Sequence, residues 1–475
     1  MNNDQIAPRR FHRRAALTML GLAPVLWGGS LSAHAAPSYH RTAYNVRQLP
    51  TELLPYNSPT PGPLDGHLTY DGEGVAVFVI DGRQYNHPVM QAEFMLSRLS
   101  SYRHNQDPEY LARVEKHAQR LMETSVTSRG AMYLPYPFDW ALHYDKTDMM
   151  LAPWYSAMAQ GQALSAFVRL FEVTGKQEYL TTADSLFASF HNHKQRGVPW
   201  TVYVDDGGYL WFEEWAKDPG PDRAFNGHVY AAFGPYDYYR ITGDVTAREL
   251  FQGGVTAVEA HLSRIRNPGW ISWYCLKHRY DYGIYHKFHV DLLYMLYRIT
   301  GAPSLAASAD RFLEDFPAWQ IGGTGNLSAG RYEACKFDAN GTVTEIKEFN
   351  LSAAEQVKVS RRWKFEGQTG IWLLIDTGTV AGFWIQETPG KAFIKRYIED
   401  YKFDPPRFIQ FEKGTYVGRR FDSLGAPVST KRFTLAGDST ARTDRRAVIS
   451  GALYFHVVAG VFHDYWIPAQ PGVDV

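Results

Sequence analysis

Three near-copies of one phrase constrain this chain more than any other feature. They read FEVTGKQEYL from Phe171, YRITGDVTAREL from Tyr239 and YRITGAPSLAAS from Tyr297. Each follows a run of aliphatic and aromatic residues at helical spacing and precedes another helical pattern. Glycine accepts the left-handed backbone that closes a helix, so Gly175, Gly243 and Gly301 are expected C-terminal caps. Each interval between caps holds two helices and a loop, and further helices are expected at 89–103 and 109–123. A chain of such hairpins packs as an α/α toroid whose inner helices line a cavity. Residues 38–320 are read as that helical-hairpin barrel.

Beyond residue 320 the pattern changes to strand-like alternation, and a second repeat appears. GRYEACKFDANGTVTEIKEFNL from Gly330 matches GTYVGRRFDSLGAPVSTKRFTL from Gly414, pairing Tyr332 with Tyr416, Asp338 with Asp422 and Gly341 with Gly425. Asp-x-x-Gly between alternating runs is turn chemistry. The fold class is therefore an α + β multidomain chain: the toroid, then a tandem pair of small all-β modules at 325–388 and 409–470 joined by a linker at 389–408. Trp384 and Trp466 recur at the same place in each module, either to stack on a polymer or to fill the module core; the core is preferred.

The N-terminus reads as an export signal over residues 1–36. RRFHRR at 9–14 precedes a short apolar run, and Ala33-His34-Ala35 fits a small-residue cleavage site. The paired arginines suggest the twin-arginine route, which exports folded proteins to the periplasm or beyond. No other run is long and apolar enough for a transmembrane span. Lys plus Arg and Asp plus Glu both number 49, so net charge favours neither nucleic acid nor an anionic membrane. Aromatics make up 15% of the chain, with 30 Tyr and 13 Trp, which suits either a large aromatic core or a protein that stacks on sugar faces. Cys275 and Cys335 are the only cysteines; two do not make a framework, and their pairing stays open.

Three clusters in the helical region carry candidate chemistry. YLWFEEW at 209–215 sets Glu213 and Glu214 among aromatics, where a carboxyl either gains a raised pKa or forms a plain surface pair. SWYCLKHRYDYGIYHKFHVD from Ser272 packs Tyr274, Lys277, His278, Arg279, Tyr285, His286 and His289 into a loop-to-helix junction. His286 and His289 share a helix face and suit a metal pair, but no third ligand is evident, so no metal site is assigned. FNGHVYAAFGPYDYYR from Phe225 offers Asn226 and Tyr230 to a hydroxylated ligand or to packing.

A fourth stretch, PWYSAMAQGQALS at 153–165, carries small residues and two amides, Gln160 and Gln162, which fits a tightly packed inner helix. It resembles the signature of the C-terminal helical domain of D-glucuronyl C5-epimerases, which invert uronic acid residues within heparan-type polysaccharides. The resemblance continues in order through Trp211–Trp215, Asn226–Tyr230, Tyr274–His278 and Tyr285–His289.

That resemblance implies a secreted, cofactor-free enzyme acting on a uronic-acid-containing polysaccharide. C5 inversion removes a proton beside a carboxylate and returns one to the opposite face, so it needs two acid/base groups and a stabiliser of enolate-like charge. The family's two downstream tyrosines map onto Tyr274 and Tyr285, with Glu213 and Glu214 completing the catalytic wall. Lys277 would pair with the uronate carboxylate, and Arg279, His278, His286, His289, Tyr155, Gln160, Gln162, Trp215, Asn226 and Tyr230 would support or touch sugar. Two departures stand out: Trp215 replaces a family tyrosine, and Lys277 replaces an arginine, losing bidentate geometry. The alternatives are a polysaccharide lyase, a glycoside hydrolase using Glu213 or Glu214 with Asp281 or Asp291, and a non-catalytic envelope glycan-binding protein.

Overall fold

The helical region is assembled from hairpins closed by the expected glycines. A computed structural model describes residues 37–317, 322–395 and 400–475; the expected export signal lies outside them. The helices are α1 (Pro88–Asn105), α2 (Pro108–Glu123), α3 (Ala157–Thr174), α4 (Gln177–Phe187), α5 (Phe225–Thr242), α6 (Val245–Ile265), α7 (Gly283–Thr300) and α8 (Pro303–Asp315). Gly175, Gly243 and Gly301 end α3, α5 and α7 with φ of +69°, +74° and +70°. The first hairpin turns differently: Gln106 takes the left-handed conformation, and Asp107 then caps α2 ahead of Pro108, the Pro-at-N1 arrangement that suits a helix start.

The odd-numbered helices are neighbours in the order α1, α3, α5, α7, and each packs against its even-numbered partner. Helix α2 buries one stripe, Tyr110, Val114, His117, Ala118 and Leu121, as an outer helix should. Helix α3 is buried all round from Ala157 to Leu170. Its small residues let α5 approach: a Cβ on Gly161 would overlap the Ala231 carbonyl, and one on Gly234 would sit 2.7 Å from the Gly161 Cα. The connections α2–α3, α4–α5 and α6–α7 carry short hairpins and loops, and these surround one end of the helix row.

Two seven-stranded antiparallel sheets follow. The first runs, edge to edge, Val343–Leu351, Gly330–Phe337, Trp384–Gln386, Trp372–Ile375, Glu355–Trp363, Gly323–Leu327, Ala392–Ile394. The second has the corresponding order: Pro427–Leu435, Gly414–Phe421, Trp466–Pro468, Ala452–Ala459, Ser439–Ile449, Asp400–Phe411, Val473–Asp474. Paired residues do the same work in both. Asp338 accepts from the amides of Asn340 and Thr342, and Asp422 from those of Leu424 and Ala426. The Tyr332 and Tyr416 hydroxyls each donate to two backbone carbonyls. Trp384 packs on Phe337 and Phe365, and Trp466 on His456.

The segment 389–408, expected as a linker, is largely strand. Ala392–Ile394 closes the first sheet against Gly323–Leu327, and Asp400–Phe411 runs beside Ser439–Ile449 in the second. Pro405 and Pro406 fall where that strand's register shifts, the kind of interruption in which proline is tolerated and which hides a strand signal.

The two sheets bury their apolar faces differently. The first has its own core, built on Leu327, Val357, Leu373, Ile375 and Ile385. The second shares a continuous core with the helices through Phe403, Ile409, Phe411 and Val457. At that junction Asp310 of α8 accepts from Arg446 at 2.7 Å and also pairs with Arg407. Both cysteines are buried and free. Among the described residues no helix is long and apolar enough to cross a membrane.

Candidate functional site

The first two turns of α1, α3, α5 and α7 all face one open cavity of about 750 Å³. They contribute Val89 and Glu93, Met158, Asn226 and Tyr230, and Ile284, Tyr285 and Phe288. Loops complete the rim with Tyr136, His143, Tyr144, Trp154, Glu214, Trp215, Tyr274 and Tyr282. Helix N-termini present unpaired amides and the positive end of the helix dipole. Ser156, Ala224 and Tyr282, at the starts of α3, α5 and α7, provide no side-chain cap, although the Ala157 and Phe225 amides donate to the Glu213 and Tyr274 carbonyls. Of these four helices only α1 is capped by a side chain: His87 Nδ1 accepts from the Met90 amide at 3.2 Å. Burial lowers the His87 pKa to about 4, so the ring is neutral with its proton on Nε2.

Glu213 and Glu214 follow the strand Leu210–Phe212 and face opposite ways. Glu213 is fully buried and accepts the backbone amides of Asp222 (3.2 Å) and Arg223 (3.1 Å), which folds the 215–223 loop back. Glu214 enters the cavity, where the Tyr274 hydroxyl donates to its Oε2 at 2.9 Å and the Gly227 amide also reaches it. A Cβ at position 227 would overlap the Glu214 carboxylate, so the helix start must be glycine for this carboxylate to sit there. Burial raises both carboxyls to about 8, reinforced chiefly by Asp222 for Glu213 and by Asp222 and Glu93 for Glu214.

Tyr274 is held on two sides. Trp215 Nε1 donates to its oxygen at 3.3 Å, and its ring lies 4.9 Å from that of Tyr285. Burial, and then the Glu214 charge, hold the Tyr274 pKa well above that of a free phenol; the same two causes lift Tyr285 to about 12. Opposite, Glu93 accepts from Gln162 Nε2 at 3.1 Å and is raised by burial. Asn226 Oδ1 is buried without a protein partner, so it is available to a bound hydroxyl.

The structure brings together Tyr274, Tyr285, Glu214, Trp215, Asn226 and Tyr230, with Glu213 behind them. The other expected residues lie elsewhere. Lys277 is exposed with its Nζ 3.4 Å from Asp148, and Arg279 is exposed. Among the described residues that line the cavity there is no Lys or Arg. Gln160 is a satisfied core amide bonded to Leu134, Met132 and Ser189, while Gln162 acts by holding Glu93. Tyr155 lines a separate cavity of about 480 Å³. His286 and His289 are buried on Ser272, and His286 Nε2 lies 2.9 Å from the Phe312 carbonyl. They lower into the neutral form by burial and belong to the core. His278 sits behind the rim, where His143, Asp222, Cys275 and His278 place one ligand atom each within 4.8 Å of one another.

Sequence reasoning did not single out Glu93, His87, His143 or Tyr136. Glu93 did leave a signal, as the sole acid in the α1 sequence PVMQAEFMLSRLSSYRHN.

Residues 130–314 match the family described as D-glucuronyl C5-epimerase C-terminus. The match covers less than half of the chain. A D-glucuronyl C5-epimerase of Caenorhabditis elegans is 30% identical over 189 residues, covering 35% of this chain and 29% of that protein. An uncharacterized protein of Methanocaldococcus jannaschii is 26% identical over 149 residues, covering 31% of this chain and 48% of the other. The chain thus spans less than half the length of either relative. Among solved structures, a cellobiose 2-epimerase from Bacillus thermoamylovorans overlaps 53% of this chain and 68% of its own at 12% identity and a TM-score of 0.39. A GH76 α-mannanase of Bacteroides thetaiotaomicron overlaps 62% and 72% at 12% identity and a TM-score of 0.37. The epimerase-family segment contains every cavity residue named above except His87, Val89 and Glu93.

Proposed function

We propose that the cavity is the active site of a carbohydrate-active enzyme that inverts C5 of a uronosyl unit within a polysaccharide. The observation that carries this reading is the Tyr274 hydroxyl 2.9 Å from the Glu214 carboxylate, beside Tyr285, at the first turns of four helices. In the ionised form of Glu214, a fraction that grows as pH rises through about 8, the Tyr274 oxygen takes the C5 proton as its own phenolic proton passes to Glu214 Oε2, so no free phenolate is needed in spite of its raised pKa. The negative charge moves onto the uronate carboxyl group as an enediolate. With no Lys or Arg among the described residues that line the cavity, the helix N-termini and neutral donors such as Tyr230 and the Asn226 amide carry that stabilisation. Tyr285 donates a proton to the opposite face, and solvent then re-protonates Tyr285 and removes the proton from Glu214. In this reading the four helix pairs form an α/α toroid, and the signal at residues 1–36 exports the enzyme by the twin-arginine route.

The test is incubation with a panel of uronic-acid polysaccharides in deuterated water, followed by proton NMR. Deuterium at C5 of intact polymer, lost in Tyr274→Phe, supports the reading. Unsaturated uronate would mean that the same intermediate collapses by elimination, as in a lyase. New reducing ends without unsaturation would make Glu93 and Glu214 the carboxyl pair of a hydrolase. No change on any polymer, with binding retained on a glycan array, would point to a glycan-binding protein.

A further inference from the structure

Behind the cavity rim, four side chains from three separate loops converge. His143 comes from the α2–α3 connection, Asp222 from α4–α5, and Cys275 and His278 from α6–α7. His143 Nε2 lies 3.0 Å from Asp222 Oδ2, and His278 Nδ1 lies 2.5 Å from Asp222 Oδ1. The Cys275 sulfur lies 3.7 Å from His143 Nε2 and 3.8 Å from His278 Nδ1. A tetrahedral zinc ion with Zn–N of ~2.0 Å and Zn–S of ~2.3 Å separates its ligand atoms by roughly 3.3–3.6 Å, so the cluster needs only small adjustments to enclose one.

The outer contacts match those of a metal site. His278 Nε2 lies 3.1 Å from Asp148 Oδ2, the carboxylate–histidine arrangement that fixes the ring of a metal ligand. In the turn Cys275-Leu276-Lys277-His278 the His278 amide donates to the Cys275 sulfur at 3.4 Å, which fixes the sulfur within the cluster. Cys275 and Asp222 are essentially inaccessible to solvent. A dication with one thiolate, one carboxylate and two neutral imidazoles is a net neutral unit, which suits that burial. The backbone is left-handed at His143 itself and at Arg223 and Arg279, next to Asp222 and His278. Outside glycine this conformation is uncommon, and here it recurs beside three of the four ligands.

We propose that His143, Asp222, Cys275 and His278 bind one zinc-class divalent ion in a closed, four-ligand structural site. Binding displaces the Cys275 thiol proton to solvent and leaves no ligand position for substrate. The ion ties together the three loops that carry Tyr274 and Trp215, since Cys275 follows Tyr274 directly and the His143 ring lies 5.6 Å from that of Tyr274. This site stands apart from the C5-inversion reading, because it is read out by metal rather than by turnover.

The test uses the full chain purified without chelators. Elemental analysis should find about one zinc per chain. After chelation, zinc titration should restore one equivalent and raise the thermal midpoint. Replacing zinc with Co2+ should give a tetrahedral spectrum with a thiolate-to-cobalt charge-transfer band, and Cys275→Ser should abolish that band. His286→Asn, in the histidine pair held on Ser272, should leave stoichiometry unchanged. Wild-type protein that takes up no zinc, or an octahedral cobalt spectrum without the charge-transfer band, overturns the proposal even if every variant fails to fold.

Discussion

The wall of the cavity and its rim reach the same space by different means. The wall is the first two turns of α1, α3, α5 and α7, whose places are set by close packing: Gly161 against Ala231, and Gln160 satisfied by Leu134, Met132 and Ser189. The rim is loop, held by polar contacts: Glu213 to the amides of Asp222 and Arg223, Tyr274 to Glu214, and the His143–Asp222–His278 cluster. Packing supplies rigidity that tolerates no added volume. Polar contacts supply groups whose protonation can change, so the proposed chemistry falls where wall and rim meet, at Glu214, Tyr274 and Tyr285.

The largest expected effect is at that meeting point. Glu214→Gln should lower C5 exchange by about 10²–10⁴-fold, the usual range for a general acid–base group, while the denaturant midpoint at neutral pH holds or rises. A comparable loss of stability would move Glu214 into the structural class. In the wall, Gly161→Ala should destabilise by about 3 kcal/mol in denaturant unfolding, because the opposing atom is a backbone carbonyl that cannot turn away. Gly227→Ala sharpens the contrast: its opposing atoms are the Glu214 side chain, which can rotate, so it should cost less stability than Gly161→Ala but about 100-fold in exchange.

A smaller effect separates the two regions by pH. Glu213 and Glu214 are raised from 4.5 to about 8 in the folded chain, so between those values the folded state binds more protons than the unfolded one. Their contribution to stability therefore falls as pH rises from about 4.5 towards 8, by up to about 1.4 kcal/mol per pH unit for each group. Glu214→Gln should flatten that slope, whereas Gly161→Ala should shift the curve without changing it. Lys277→Ala should be the mildest: an exposed pair with Asp148, worth at most about 0.5 kcal/mol, and exchange within about twofold of wild type. A hundredfold loss there would bring a cation back into the site.

Legibility in the sequence divides along the same line. Helix caps and hairpin repeats are local signals, so Gly175, Gly243 and Gly301 announce α3, α5 and α7 directly. Asp-x-x-Gly turns announce the corresponding places of the two sheets. Which turn of an inner helix meets the cavity is not local: Gln160 and Gln162 sit only one to two turns beyond Ser156, yet they bond into the protein instead of lining the cavity. Glu93 enters from a helix outside the epimerase-family match. The metal-type cluster draws on residues scattered from His143 to His278, with no diagnostic spacing, while the adjacent His286 and His289 look more like a ligand pair and are core.

The junction at Asp310 bears on where this protein can be cut. The family match ends at residue 314, one residue short of the end of α8, but Asp310 shares its charge with Arg407 and Arg446 of the second sheet, and Tyr294 of α7 stacks on Tyr401 at 4.4 Å. A fragment stopped at the family boundary would leave a buried carboxylate without either guanidinium and an aromatic face without its cover. The helical region and the second sheet are joined through these buried contacts, so a minimal folded version of this protein must retain residues 400–475, even though none of them lines the cavity.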